Sequence, residues 1–288
     1  MNNTTLSSAL ILTLLSAGAW AEGNTLFGMP TEYTLGVEGF QQNFDTKATV
    51  NDDPLYLKRG ARVYDLTGSV RMRFSDSQAV KLSARVGQSN GDIESNVRNG
   101  DRVAFNHDTG NYDLRGVYQY TLQLGSLPLT TSAGLGYRNQ SENWGQSTSN
   151  SEEERSSSIN RGYTYATVGV ESTFALGDNW LATPKLSFNK VLNGQQSMTR
   201  NTKSTDWRGV VSTSSTNASA NHNRGYGYEL ASDFSVKVGG NKLSLTPFYR
   251  YWHIDATPAS LSNSNGNANF QLPSNSTKEV GLNLSLAF

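Results

Sequence analysis

The chain has 288 residues, of which 24 are basic and 24 are acidic, and it contains no cysteine. The balanced charge gives no basic surplus for binding nucleic acid, and the lack of cysteine excludes disulfides, thiolate metal sites and cysteine nucleophiles. Mean hydropathy is low, at -0.51, and after residue 20 no apolar run is long enough to cross a bilayer as a helix.

The N-terminal segment has the features of an export signal. Ser7 to Trp20 form a compact apolar stretch, and Ala19-Trp20-Ala21 fits the small-x-small rule for cleavage. A short membrane anchor is the alternative, but the stretch is short and no basic stop follows it. We therefore expect residues 1–21 to be a signal peptide and residues 22–288 to form one mature domain.

From Glu32 onward, apolar and polar residues alternate with a period of two, which indicates β-strands with one apolar face. The clearest stretch is Arg62 to Phe74, where Tyr64 and Leu66 alternate with polar residues. Ten such strands are predicted, at residues 32–44, 62–74, 79–87, 111–122, 128–138, 162–176, 180–191, 225–236, 242–254 and 277–288.

The segments between the strands alternate strictly between short and long. The short ones cover residues 75–78, 123–127, 177–179 and 237–241, and the long ones cover residues 45–60, 88–110, 139–161, 192–224 and 255–276. The long segments are rich in Ser, Asn, Gly and Thr, so we expect them to be mobile loops. An even number of strands with short turns on one side predicts an all-β, antiparallel, up-and-down transmembrane barrel with ten strands and five long outer loops.

Aromatic residues on the apolar faces lie near both ends of the predicted strands, which indicates one aromatic girdle at each membrane interface. Pro184 and Pro247 lie inside strands and each removes one ladder hydrogen bond, so we expect a bulge or irregular pairing at each. The girdle residues are Tyr64, Tyr112, Tyr137, Phe188, Tyr226 and Tyr251 near the long segments, and Tyr33, Phe74, Phe174, Trp180, Phe234 and Phe288 near the short turns.

The last predicted strand, Thr277 to Phe288, alternates without interruption and ends on an aromatic residue. It resembles the C-terminal strand of bacterial outer-membrane β-barrels, which the barrel assembly machinery reads as a signal. The resemblance implies location in the outer membrane of a Gram-negative bacterium, with outer-membrane lipid, lipopolysaccharide and that machinery as partners. The residues of the predicted assembly signal are Val280, Leu282, Leu284, Leu286 and Phe288.

Strand parity also predicts which charges point into the lumen, and the two signs balance. A ten-stranded barrel is close to the size that its own side chains fill, and buried charges must be paired. Two hypotheses follow: a salt-bridged plug that fills the barrel, or a narrow conduit with charged walls. The predicted lumen charges are Glu32, Glu38, Asp65, Asp113, Glu171, Glu229, Asp233 and Glu279, with Arg71, Arg73, Lys81, Arg85, Arg115, Arg138, Lys185 and Arg250.

Ten strands and five long loops resemble the omptin proteases, whose activity needs an Asp pair on one side of a cleft and a His with a nearby Asp on the other. Here His222 has no acid close to it in sequence. His107 lies beside Asp108, and Asp52 and Asp53 lie in the first long segment, but this does not match the omptin pattern. No catalytic residue is carried over.

A lipid hydrolase would need a His and a Ser at the membrane rim. His253 lies near the outer end of its strand, with Ser260 and Ser262 following it, but an interfacial His beside Tyr251 and Trp252 is more often a girdle residue. The second long segment offers oxygen ligands without the spacing of a calcium loop, namely Asp92, Glu94, Asp101 and Asp108. We predict no metal site and no cofactor.

The sequence thus favours a non-catalytic integral outer-membrane barrel whose long polar loops bind an extracellular ligand or serve in adhesion. The alternatives are a narrow, porin-like passive channel for ions or small solutes, and a membrane-embedded omptin-like protease or lipid hydrolase. A water path through the lumen would favour the channel, and a His meeting an acid in the loop cleft would favour the hydrolase.

Overall fold

The computed structural model of the protein describes residues 25–50, 53–96, 102–146, 153–205, 208, 210–238, 240–263, 266–272 and 274–288. The predicted signal peptide lies outside these residues. The fifteen strands are β1 (Thr25–Leu26), β2 (Met29–Val50), β3 (Asp53–Arg73), β4 (Gln78–Asn96), β5 (Arg102–Leu124), β6 (Leu127–Gln146), β7 (Glu153–Ser172), β8 (Phe174–Ala175), β9 (Trp180–Thr205), β10 (Val211–His222), β11 (Gly225–Val238), β12 (Asn241–Ile254), β13 (Thr257–Asn263), β14 (Gly266–Leu272) and β15 (Asn275–Ala287).

Ten of these strands form a closed antiparallel barrel, in the order β2, β3, β4, β5, β6, β7, β9, β11, β12 and β15. Closure is made by β15, which pairs with β12 on one side and with β2 on the other. Phe288 and Tyr33 exchange two backbone hydrogen bonds of 3.0 Å just beyond this pairing. The predicted all-β, ten-stranded barrel is therefore confirmed. In the described part of the chain, no helix is long and apolar enough to cross a membrane.

The outer face of the barrel is apolar, because alternate residues of each strand point away from the lumen. The residues of both predicted girdles lie on this face; Tyr64, for example, is 68% exposed. Every barrel strand contributes at least one large, exposed aliphatic side chain: Val37, Leu66, Leu82, Leu114, Leu135, Val168, Leu186, Leu230, Leu245 and Leu282.

The five long segments predicted to be outer loops are paired strands over most of the length that the structure describes. The strands continue through these segments as paired hairpins, so that β2 and β3 stay in register from Thr31 and Met72 to Val50 and Asp53. Polar composition misled the prediction, because Ser, Thr and Asn side chains are common in loops and are equally compatible with a paired strand. Three further strands, β10, β13 and β14, extend this outer region. β10 pairs with β9 on one side and with β13 on the other, and β13 also pairs with β14.

Both prolines lie at interruptions of the ladder, as predicted. Pairing between β11 and β12 stops at Ala231 and Phe248 and resumes at Phe234 and Leu245, with Pro247 in the gap. Pairing between β7 and β9 ends at Lys185, beside Pro184. Both interruptions are losses of pairing without a change of register. Among the described strand pairs of the barrel, a register shift occurs elsewhere, between Thr164 and Tyr165.

Candidate functional site

The lumen is the candidate functional site, because it collects the charged side chains that strand parity assigned to it. All sixteen predicted lumen charges either form ion pairs across the barrel or line its central cavity. They form two layers. We call the middle layer, whose side chains are mostly buried, the plug, and it contains Glu38, Asp65, Arg85, Asp113, Arg115, Arg138, Glu229, Arg250 and Glu279.

Glu279 on β15 lies at the centre of the plug and is completely buried. Its carboxylate accepts hydrogen bonds from Arg138, from Arg85 Nη1 at 3.3 Å and from Gln42 Nε2 at 3.3 Å. Arg250 Nη1 lies 3.6 Å from the same carboxylate. One acid from the closing strand therefore contacts three guanidinium groups that reach it from other parts of the barrel.

Glu38 on β2 is the second centre of the plug. It accepts a bidentate pair of hydrogen bonds from Arg250, of 2.6 and 2.8 Å, and a third bond of 3.2 Å from Arg85. The Arg85 guanidinium also lies 3.6 Å from both Asp65 and Asp113. Bidentate pairs between Arg and carboxylate are among the strongest hydrogen bonds in proteins and fix the geometry of both partners.

The plug continues across the barrel through Tyr165 on β7. The Tyr165 hydroxyl donates a hydrogen bond of 2.8 Å to Asp113 and accepts one of 3.2 Å from Arg115. Arg115 pairs with Glu229 at 3.4 Å, and Arg250 pairs with the same acid at 3.3 Å. With Tyr165, nine of the ten barrel strands contribute to this one network, and only β9 does not.

Buried apolar side chains pack against the plug. Tyr165 meets Trp252 edge to face at 5.1 Å, and the Arg138 guanidinium lies 5.1 Å from the Trp252 ring. Phe40 and Phe248 form a second edge-to-face pair at 6.0 Å. These inward-facing rings were not predicted, although Phe40 has the strand parity of Glu38, and Trp252 that of Arg250. The same parity rule would have found them.

Two glycines make room for these rings. A Cβ on Gly281 would lie 2.4 Å from Phe40 Cβ and 2.7 Å from the Phe248 ring, and a Cβ on Gly136 would lie 2.2 Å from the Tyr165 ring. Both contacts are closer than real Cβ atoms allow, so neither position tolerates a side chain without moving its neighbours.

Below the plug, on the side of the short turns, lies a cavity of about 360 Å³ that we call the vestibule. Its ion pairs are long. Lys185 Nζ lies 4.0 Å from Glu171 and 3.8 Å from Asp233, and Glu32 lies 3.9 Å from Arg73. The remaining predicted lumen charges, Arg71 and Lys81, line the cavity without an ion pair among the described residues.

Beyond the plug, on the side of the long hairpins, the structure contains a pair that the sequence did not predict. Arg161 Nη1 donates a hydrogen bond of 2.5 Å to Glu142, and both side chains are buried. Both residues lie in a segment predicted to be a loop, so parity was not applied to them. Continuing the strand of Tyr163 by two residues would have assigned Arg161 to the lumen.

The structure does not bring the candidate catalytic residues together. His222 is buried beside the Tyr163 ring, with ring centres 6.1 Å apart. His253 faces outward, where its Nε2 lies 3.2 Å from Asp255 Oδ1 and its ring contacts Tyr226. The side chains of His107, Asp52, Asp53, Ser260 and Ser262 lie outside the described residues.

His253 has a serine directly opposite it on β15, Ser276. A nucleophile of this kind would need a hydrogen bond to the histidine ring. No such bond joins the two side chains among the described contacts, although the pair with Asp255 would orient the ring. Of the acids proposed as oxygen ligands, Asp92 and Glu94 have side chains outside the described residues. The described part of the chain contains no group of three or more metal-ligating side chains.

Acid is expected to weaken the outer part of the structure through His222. This residue lies on β10, which is not a barrel strand, and burial lowers its pKa below the ordinary 6.5, with Arg161 lowering it further. The folded protein therefore binds fewer protons than the unfolded chain below pH 6.5. Stability is complete above that pH and falls as the pH drops, by at most about 1.4 kcal/mol per pH unit.

The measurement is the free energy of unfolding between pH 8 and pH 5 for the wild type and His222→Gln. We expect the variant to lose part of the acid dependence, while His253→Gln, on the outer face, keeps it. Equal slopes in the wild type and His222→Gln would contradict the assignment.

No protein-family model matches the sequence, and no curated protein is significantly similar to it. Among solved structures, the chain is similar to the outer-membrane protease OmpT from Escherichia coli, with a TM-score of 0.64 and 9% identity over 90% of this chain and 96% of that chain. At this identity the likeness shows the fold alone. The fold is that of bacterial outer-membrane β-barrels, as the C-terminal strand predicted, and the apolar outer face agrees with that location.

Two autotransporter structures also match over most of their length. They are the transport unit of AIDA-I from Escherichia coli, with a TM-score of 0.40 and 11% identity over 96% of both chains, and the translocator domain of NalP from Neisseria meningitidis, with a TM-score of 0.39 and 10% identity over 97% of this chain and 96% of that chain. Both TM-scores are too low to indicate a common fold.

Proposed function

We propose that this protein is a non-catalytic outer-membrane barrel that presents its outer hairpins as a surface for binding an extracellular partner. The observation that supports this most strongly is the length of the strands. The barrel strands β2, β3 and β9 have 22, 21 and 26 residues, whereas about 9–11 residues cross a membrane in a barrel strand. Roughly half of each of these strands therefore lies beyond the bilayer.

The chemistry of the outer sheet also suits binding. β10 has the sequence VSTSSTNASANH, so hydroxyl and amide groups follow one another along a strand that pairs on both sides. Small polar side chains of this kind adapt their hydrogen bonds to a partner at low entropic cost. β14 pairs only with β13 among the described strands, and its second edge offers backbone groups to an added strand.

The plug argues against a passive channel. Its ion pairs and the packed rings of Tyr165, Trp252, Phe40 and Phe248 occupy the middle of the lumen. Opening a path would separate buried charges from their partners, which is costly.

A binding test uses cells that produce the full chain, incubated on arrays of extracellular-matrix proteins and glycans. We expect retention above that of cells without the protein on at least one surface. Replacement of residues 257–272, which form β13 and β14, by a short Gly-Ser linker should abolish it, while Lys185→Gln inside the barrel should not. Failure of the wild type to bind any surface, or full binding by the linker variant, would reject the proposal.

The closed lumen gives a second, separate prediction. The purified protein is expected to show no stepwise conductance in planar bilayers, because the plug fills the lumen at mid-height. A general porin inserted under the same conditions serves as the positive control for reconstitution. Discrete conductance steps from the wild type would instead support the channel alternative. Turnover of fluorogenic peptides or lipids that His253→Ala abolishes would support the hydrolase.

A further inference from the structure

The vestibule has one wall whose charges are not balanced within the protein. Arg71 on β3 and Lys81 on β4 are directly opposite each other in the ladder, and both line the cavity. Like charges directly opposite each other in a sheet are destabilising. Glu32 is opposite Arg71 on β2, so this row contains one acid and two cations, which leaves one positive charge in excess.

Neither cation forms an ion pair with a neighbouring acid. Among the described residues, Arg71 and Lys81 make no ion pair and no hydrogen bond, and the Arg71 Nε is buried without an acceptor. The nearby acids already have other partners: Glu171 accepts a hydrogen bond from Gln119 and lies close to Lys185, and Glu32 lies between Arg73 and Lys242.

Hydroxyl groups complete the same wall. Ser69 and Ser83 are opposite each other in the β3–β4 ladder, two positions further from the turn, and Thr34 is opposite Ser69 on β2. All three residues line the cavity, and the Ser83 hydroxyl, which donates a long hydrogen bond of 3.5 Å to the Arg115 carbonyl, would have to turn to donate to a ligand. A guanidinium, an ammonium and a row of hydroxyls are the donors that recognise an oxyanion, since Arg can form a two-bond fork and Lys acts as a mobile point charge.

We propose that this wall of the vestibule, formed by Arg71, Lys81, Ser69, Ser83 and Thr34, binds a small solute that carries a phosphate, sulfate or carboxylate group. The solute enters from the short-turn side, because the plug closes the opposite side of the cavity. The cavity, at about 360 Å³, has the volume of a small-ligand pocket. The site is separate from the outer binding surface and faces the periplasm.

The test is isothermal titration of the folded full-length barrel, in zwitterionic detergent without phosphate groups, with inorganic phosphate, sulfate and citrate. Comparing the three anions identifies the preferred group. We expect one saturable site for at least one anion, and a dissociation constant about tenfold or more higher in Arg71→Gln and in Lys81→Gln. Arg73→Gln is the matched control, since Arg73 lies on the same strand and face, pairs with Glu32 and does not line the cavity.

Thermal unfolding gives an independent readout that a purely structural role would not produce. Without added anion, Arg71→Gln should be at least as stable as the wild type, because it removes the repulsion from Lys81. The bound anion should raise the midpoint of the wild type but not that of the variant. Gel mobility before and after boiling verifies that each variant is folded. No saturable binding of any of the three anions, or equal weakening in Arg73→Gln, would overturn the proposal.

Discussion

Replacement of Glu279 with alanine is expected to lower the free energy of unfolding by about 3–5 kcal/mol, because it leaves buried guanidinium groups without their acid. Arg138, Arg85 and Gln42 all donate hydrogen bonds to this carboxylate. Equilibrium unfolding in urea, followed by tryptophan fluorescence in lipid vesicles, measures the effect. Trp252 lies against Arg138, so a variant in which the other tryptophans are replaced by phenylalanine would report on the plug through its emission.

Glu32→Ala is the control for this experiment. Glu32 is also an inward-facing acid, but its ion pairs are 3.9 and 4.0 Å long and its side chain is 34% exposed. Its loss should cost less than about 1 kcal/mol. The double replacement of Glu279 and Arg138 by leucine should cost less than the sum of the two single replacements, since it removes both charges together. Similar losses in Glu32→Ala and Glu279→Ala would mean that the plug does not stabilise the barrel.

Removal of Phe288 is expected to reduce the amount of folded barrel in the outer membrane severalfold. The deletion removes two backbone hydrogen bonds to Tyr33 and the stacking of the two rings, whose centres lie 6.1 Å apart. It also removes the aromatic end of the predicted assembly signal, whose other members, from Val280 to Leu286, are exposed on the outer face. Quantifying folded and unfolded forms by gel mobility in isolated membranes checks the prediction.

Phe174→Ala and Phe234→Ala are matched controls, because both residues are exposed aromatics of the same girdle but lie away from the closing strand. Both should assemble at near wild-type levels, and Phe288→Tyr should restore assembly relative to the deletion. Normal assembly without Phe288 would show that the closing strand needs neither the aromatic ring nor its bonds to Tyr33.

Alternation predicted much of the barrel because a membrane strand has two different surroundings. Leu66 lies on the apolar outer face and Asp65 points into the polar lumen, so their polarity follows from their position. Once one residue of a strand is assigned to a face, alternation assigns the other residues of that strand. The outer hairpins could not be predicted this way, because polar side chains lie on both of their faces. In β10 the buried side chains are Ala218, Ala220 and His222, which differ too little in polarity from their exposed Ser and Asn neighbours to separate the strand from a loop.

The pairing of charges in the plug is a second feature that the sequence did not predict. Parity predicted that Glu38, Arg250 and Glu279 point inward, but it could not predict which charges meet. Glu38 and Arg250 are 212 residues apart in the chain, yet share two hydrogen bonds. Their meeting depends on how far each strand is displaced along its neighbour as the barrel closes, a quantity that no single strand encodes.

The distribution of the plug over nine strands has a consequence for how the barrel forms. Glu279 and Glu38 lie on β15 and β2, the two strands that meet when the sheet closes. Before that meeting, the arginines of the intervening strands have no acid at the centre of the lumen and must remain hydrated. Loss of water from these ions and joining of the first strand to the last are therefore a single cooperative event. A partner that later separated β2 from β15 would have to expose all the buried charges of the plug to water in one step.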